Sequence, residues 1–268
     1  MANATRTAAR LPFERYHAEL RAETARFAAA VAAADPALPV PTCPGWTLAQ
    51  LAAHVGHGMR WPAVIVERRA TGPVPNEQAD DLEVPDGAEA RSAWLAAGAR
   101  RLSDAVRRLG PETGVWSWAD DRTAGFWLRR VTHDTLVHRL DAELAVGRDP
   151  RVAADLAADG VADLLDMFTV LPRVDDFPEL DALRGDGEAL HFHATDQGLG
   201  AAGEWLARRS PAGVAWEQRH GPADVTVRGP AAELLLLLTR RAALGDRPGV
   251  EVAGDRRLLA HWLDHSRF

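Results

Sequence analysis

The sequence predicts an α+β protein in two parts, a four-helix bundle over residues 1–148 and a small α+β domain with an antiparallel sheet over 149–268. Three observations lead there. Four segments of about 20 residues each repeat apolar side chains at three- and four-residue steps. Beyond Ala189 the apolar period shifts to two. The 268 residues also exceed a typical domain of roughly 100–150.

The first helix is expected from about Phe13 to Ala34, with Phe13, Tyr16, Leu20, Phe27 and Val31 on one face. Four prolines in ADPALPVPTCPG end it. Thr47 and Gln50 then form a capping box, Trp46 and Leu51 a hydrophobic staple, and a second helix runs to about Arg69 with a kink at Pro62. The acidic, proline-rich TGPVPNEQADDLEVPDG reads as an exposed loop. A third helix spans Ala88 to Leu109, with Trp94, Leu95, Leu102 and Val106 inward and Gly110-Pro111 as its stop. The fourth follows a Trp-rich connection and closes at Gly147. Asp149-Pro150 suggests the cap and first residue of a fifth helix to about Leu171, after which VLPRVDDFPELDALRGDGE reads as irregular. LHFHAT, GEWLARR, GVAWEQRH, ADVTVRG and VEVAG are the strands. Gly229-Pro230 opens a helix apolar all round at Leu234 to Leu238, and Asp255 caps a last one ending near His265.

A net charge of -7 and a pI near 5.8 argue against a nucleic-acid surface, which needs clustered positive charge. The single cysteine, Cys43, excludes an internal disulfide and a thiolate cage for zinc, and fits a reducing compartment. It reads as a structural thiol. The opening residues lack the apolar run of a signal peptide, and no stretch approaches ~18 consecutive apolar residues. A soluble, cytoplasmic protein without a membrane partner is expected.

The fourth helix carries the chemistry. Trp127, Val131, Asp134, His138, Asp141 and Ala145 step by four and three along one inward face, and half of that face is polar. Buried carboxylates and imidazoles must be satisfied by a charge, a hydrogen bond or a metal. Asp134 and His138, one turn apart, can hold a single ion, with His54 of the second helix as the best third ligand. The same spacing also suits a structural Asp–His pair, and the residues alone leave both readings open. Asp141 is placed either to orient His138 or to pair with an arginine. His133 points about 100° away and is a weaker ligand. His191 and His193 lie on one face of the first strand; alternating histidines there read as a solvated face.

PTCPGWTLAQLAAHVG at Pro41 to Gly56, HDTLVHRLDAE at His133 to Glu143 and VRGPAAELLLLLTRR at Val227 to Arg241 resemble the mycothiol-dependent maleylpyruvate isomerase family. The resemblance implies a DinB-like bundle followed by a sterol-carrier-like domain. It also implies a divalent metal, usually zinc, bound by a His of the second helix and a Glu-x-x-x-His pair of the fourth. His54 and His138 match, while Asp134 stands at the Glu position, its carboxylate drawn back by about 1.5 Å. A metal with three protein ligands keeps an open place where a thiol becomes a thiolate. The implied cosubstrate is mycothiol, used for cis-trans isomerisation of a maleylpyruvate-like acid or for thiol transfer to an electrophile. Arg130, Arg228 and Arg241 are candidate contacts to the thiol or to an anionic substrate. A metal-dependent hydrolase and a non-catalytic ligand-binding or regulatory protein are the competing readings.

Overall fold

The computed structural model describes residues 10–173, 178–247 and 249–266. The chain divides after Pro150, with Pro12–Pro150 forming one compact unit and Arg151 onward the other.

The first unit contains α1 (Phe13–Ala32), α2 (Leu48–Glu67), α3 (Ala88–Leu109) and α4 (Ala124–Ala145). Helix α1 buries Tyr16, Leu20, Phe27 and Val31 against α3 and α4, so the four-and-three stripe read in the sequence is its core face. It ends two residues earlier than Ala34. The capping box of α2 forms as its sequence demands: the Gln50 amide donates to Thr47 Oγ1, and the Thr47 amide donates to Gln50 Oε1 at 2.9 Å. The helix runs unbroken through Pro62. Helices α2 and α3 approach closely at Gly56, where an added Cβ would lie 1.9 Å from the Trp94 ring. Trp94 is held there by its indole N–H on the Asp81 carbonyl and by Arg60, whose guanidinium lies 4.0 Å from the ring centroid.

The acidic loop before α3 is largely exposed, yet it is tied down. Arg60 pairs with Asp81 at 2.6 Å, Arg101 bridges Glu67 and Asp80, and the Trp61 indole reaches the Val74 carbonyl. In the second connection Trp116 packs against Trp61, as does Trp127 of α4. Helix α4 is buried on several sides at once. On one of them Arg139 reaches Glu23 of α1 at 2.7 Å and Glu143 at 2.6 Å, so charges inside the bundle are mutually compensated.

The second unit begins with α5 (Ala154–Val170). The helix starts at Ala154 and Ala153 is its N-cap, so Asp149-Pro150 is not its cap. The burial that stabilises α5 runs from Leu156, and the residues before Ala154 stay non-helical. Two short 3₁₀ turns, Leu171–Arg173 and Pro178–Leu183, occupy part of the segment expected to be irregular, whose residues 174–177 lie outside the described set. Strands β1 (Ala189–Ala194), β2 (Glu204–Ser210), β3 (Gly213–Glu217), β4 (Val225–Gly229) and β5 (Glu251–Gly254) form one sheet in the order β3-β2-β1-β4-β5.

The sheet is mixed rather than antiparallel. β1 pairs with β4 in parallel, Leu190 opposite Val225, while its other neighbour β2 is antiparallel. Alternation marks a strand without fixing its partner. The chain leaving β3 crosses past β2 and β1 before β4 begins, and so enters the sheet in the direction of β1. Helix α6 (Ala231–Leu238) is the expected buried helix, with Leu234 to Leu238 all inside. In α7 (Arg256–His265) Asp255 caps the N-terminus and Trp262 packs on Phe168 and Phe192. The face bearing His191 and His193 is only partly solvated, the His193 side chain being 28% exposed. His191 is 2% exposed and lies 2.6 Å from Glu204. No helix among the described residues is long and apolar enough to cross a membrane.

Candidate metal centre

Helices α2 and α4 bring His54, Asp134 and His138 together, with their ligand atoms all within 4.8 Å of one another. The capping box fixes the start of α2 and sets His54 about two turns along it. The edge of the Trp46 ring steadies the imidazole at 5.0 Å between centroids. Asp134 and His138 occupy successive turns of α4. Asp134 Oδ2 is 3.9 Å from His54 Nε2 and 3.8 Å from His138 Nε2. Two ligands about 2.1 Å from a tetrahedral ion stand roughly 3.4 Å apart, so the carboxylate has about 0.5 Å to close. A His₂-carboxylate donor set therefore fits one divalent ion, with the shorter Asp at the far limit of reach.

The centre is open on one side and closed on the other. The His54 and Asp134 side chains are 43% and 34% exposed, His138 only 14%. Beneath His138, Asp141 is fully buried and accepts from His138 Nδ1 at 2.9 Å, Thr42 Oγ1 at 2.5 Å and Cys43 Sγ at 3.3 Å. Asp141 thus orients His138, the first of the two roles open to it. With its proton on Nδ1, His138 presents the Nε2 lone pair toward Asp134 and His54. Cys43, His138 and Asp141 also lie within ligand distance of each other, but that side of the imidazole is already engaged by the carboxylate. The thiol is thus a donor to Asp141, as a structural cysteine would be.

Charge completes the arrangement. Arg130, one turn before Asp134, donates to Asp134 Oδ1 at 3.0 Å and leaves Oδ2 facing the histidines. Burial alone would raise the Asp134 pKa, but the attraction of His138, Arg130 and His54 together outweighs it and holds the carboxyl below its ordinary value. Burial is also the main force lowering the His54 pKa, with the Asp134 charge opposing it, so a neutral imidazole suited to ligation is favoured. Gly58 leaves this side uncluttered: an added Cβ would already lie 3.9 Å from Asp134 Oδ2.

The remaining candidates fall elsewhere. His133 is buried with its ring edge-on to Tyr16 and is not among the clustered ligands. Arg228 and Arg241 belong to the C-terminal unit. Arg228, on β4, lies 3.6 Å from Glu251, and Arg241, just after α6, donates to the Thr239 carbonyl at 2.6 Å. Thr42 and Cys43, whose hydroxyl and thiol donate to Asp141, were missed as parts of the site; the signals for them were their place just upstream of the capped helix and within the PTCPGWTLAQLAAHVG stretch.

Comparison with known proteins gives a consistent picture. The family described as mycothiol maleylpyruvate isomerase N-terminal domain matches residues 17–143, and the one described as MDMPI C-terminal domain matches residues 155–261. Among solved folds, the crystal structure of the mycothiol-dependent maleylpyruvate isomerase is similar with a TM-score of 0.50 at 17% identity. A histidine-to-alanine mutant of that enzyme gives 0.54 at 16%. Each likeness covers 91% of this chain and 93% of the other. No curated protein matches the sequence.

Proposed function

The chain belongs to the mycothiol maleylpyruvate isomerase family, and on that premise we propose that His54, Asp134 and His138 hold a divalent metal at which mycothiol reacts with a small unsaturated acid. By ligand type the metal is zinc. When bound, such an ion lowers the pKa of a thiol enough to hold it as a nucleophilic thiolate at neutral pH. The observation that carries this reading is the three-ligand convergence with an exposed side, backed by a buried carboxylate that fixes the His138 tautomer.

The protein's own groups set up the rest. Asp141 keeps the His138 Nε2 lone pair aimed at the centre, and Arg130 anchors Asp134 through the oxygen that faces away from the histidines. Cys43 is engaged with Asp141, so the reacting sulfur comes from an external thiol. The thiolate adds to the cis double bond of a maleylpyruvate-like acid, forming a C–S bond while the π bond breaks and its electron pair moves onto the conjugated keto oxygen as an enolate. The resulting carbon–carbon single bond rotates, and collapse of the enolate re-forms the double bond, breaks the C–S bond and returns the thiolate and the trans isomer. Transfer to an electrophile is the same first step without the elimination. Arg130, which lies beside Asp134, is the cation proposed to meet an anionic substrate.

The test is incubation of zinc-loaded protein with mycothiol and a cis-unsaturated keto diacid, following the double-bond geometry by absorbance and the thiol by mass spectrometry. Isomerisation or conjugation that requires mycothiol is expected. Turnover of an ester or amide without any thiol would overturn the proposal in favour of a hydrolase. Absence of both reactions, with mycothiol unbound, would overturn it in favour of a binding protein.

A further inference from the structure

We propose that His191, His193, Glu204 and His220 form a second metal site in the C-terminal unit, a closed N₃O site for a zinc-type divalent ion. The site is independent of the bundle centre. Strand periodicity places His191 and His193 on one face of β1, and the antiparallel register sets Glu204 of β2 directly opposite His193 on that same face. His220, in the connection that leaves β3, folds over them, with its ring 4.7 Å from that of His191 and 6.3 Å from that of His193. The four side chains bring one ligand atom each to within 4.8 Å of all the others.

The Glu204 carboxylate is the hub. Its Oε2 is 2.6 Å from His191 Nε2 and 3.4 Å from His220 Nδ1, and its Oε1 is 2.8 Å from His193 Nδ1. Three imidazole nitrogens aimed at one carboxylate form a donor set whose only anion is that carboxylate. An ion bound by all four needs neighbouring ligands about 3.4 Å apart, a retreat of about 0.6–0.8 Å for the two closest nitrogens and none for His220. Imidazole-rich sets with one carboxylate suit zinc, copper and nickel over magnesium or calcium. Four protein ligands complete a tetrahedron, the pattern of a structural site.

The consequence would be a staple. His191 is buried within the sheet, whereas the His220 side chain is 74% exposed on a connection between strands that are not neighbours. An ion at Glu204 would tie that connection to β1 and β2. The site borders a cleft of about 480 Å³ lined by His193, Asp196, Glu204, His220 and Arg228, through which an ion can enter.

Cobalt(II) titration followed by visible absorption and equilibrium dialysis tests this in four proteins: the parent, His54→Ala/His138→Ala, His193→Ala/His220→Ala, and the quadruple variant. Circular dichroism verifies folding of each. His193 and His220 are partly exposed, so their loss should leave the fold intact. The His54→Ala/His138→Ala protein should still bind one ion with a tetrahedral spectrum. His193→Ala/His220→Ala should weaken that binding at least ~100-fold, since even outer-shell changes cost 10–100-fold. Zinc should raise the melting temperature of the His54→Ala/His138→Ala protein but not of the quadruple variant. A folded His54→Ala/His138→Ala protein that binds no cobalt, or whose binding survives loss of His193 and His220, would overturn the proposal. Failure of the bundle centre alone would look different: one ion in the parent, removed by His193→Ala/His220→Ala.

Discussion

Substituting Asp141→Asn isolates the group that aims His138. The side chain keeps its size but exchanges a carboxylate that accepts three hydrogen bonds, from His138 Nδ1, Thr42 Oγ1 and Cys43 Sγ, for an amide with one acceptor oxygen. If that oxygen stays with Thr42, the shortest of the three contacts, the amide NH₂ meets His138 Nδ1. Two donors then face each other, so the imidazole moves its proton to Nε2 and loses the lone pair that points to Asp134 and His54. Losing such an outer-shell partner weakens metal binding 10–100-fold, about 1.4–2.8 kcal/mol. Separately, the metal-free protein should lose about 1–3 kcal/mol for poorly satisfied buried groups. Calorimetric zinc titration against a competing chelator measures the first quantity and urea unfolding of metal-free protein the second. Zinc affinity within twofold of the parent, alongside the expected destabilisation, would refute the orienting role and leave Asp141 a structural acceptor.

Three further outcomes are expected. Asp134→Glu should be tolerated and tighten zinc binding, because the added carbon spans the remaining ~0.5 Å and Gly58 leaves room for it; the same titration detects this, and complete loss of metal would contradict it. Gly56→Ala should destabilise the protein despite the better helix propensity of alanine, since the new Cβ would lie 1.9–2.9 Å from three atoms of the Trp94 ring; a loss of about 1–3 kcal/mol is expected in urea unfolding. Burial foremost, and Arg107 next, hold the pKa of His17 below its ordinary value. Unfolded His17 therefore binds a proton below about pH 6.5 while the native side chain stays neutral, so its contribution to stability is present above that pH and falls as the pH drops toward the native pKa. His17→Gln should remove up to about 1.4 kcal/mol per pH unit of that slope, read by urea unfolding between pH 7.5 and 5.5; an unchanged slope would contradict it.

What was legible in the sequence was local. Thr47 and Gln50, three residues apart, cap α2, and Asp255 caps α7, because a cap needs only its own first turn. Helical periodicity put Asp134 and His138 on one face of α4, whereas His54, on a different helix, joined them as the best third ligand and through the family resemblance. The role of Asp141 stayed open until the packing of Thr42, Cys43 and His138 around it was known, since its partners are up to 99 residues away. The Arg139–Glu23 pair, 116 residues apart, carries no sequence signature at all. In the second unit the alternating period located the strands but not the parallel pairing of β1 with β4, which depends on where the chain re-enters the sheet. Alternation likewise put His191 and His193 on one face without saying that Glu204 and His220 would meet them there.

The most direct test of the bundle centre as a thiol site is calorimetric titration of mycothiol into zinc-loaded protein and into the His138→Ala variant. Saturable, one-to-one binding with proton release is expected for the parent, reporting thiolate formation, and its loss is expected in the variant. Equal binding by both proteins, or none by the zinc-loaded parent, would contradict the assignment of His54, Asp134 and His138 as the place where the thiol is activated.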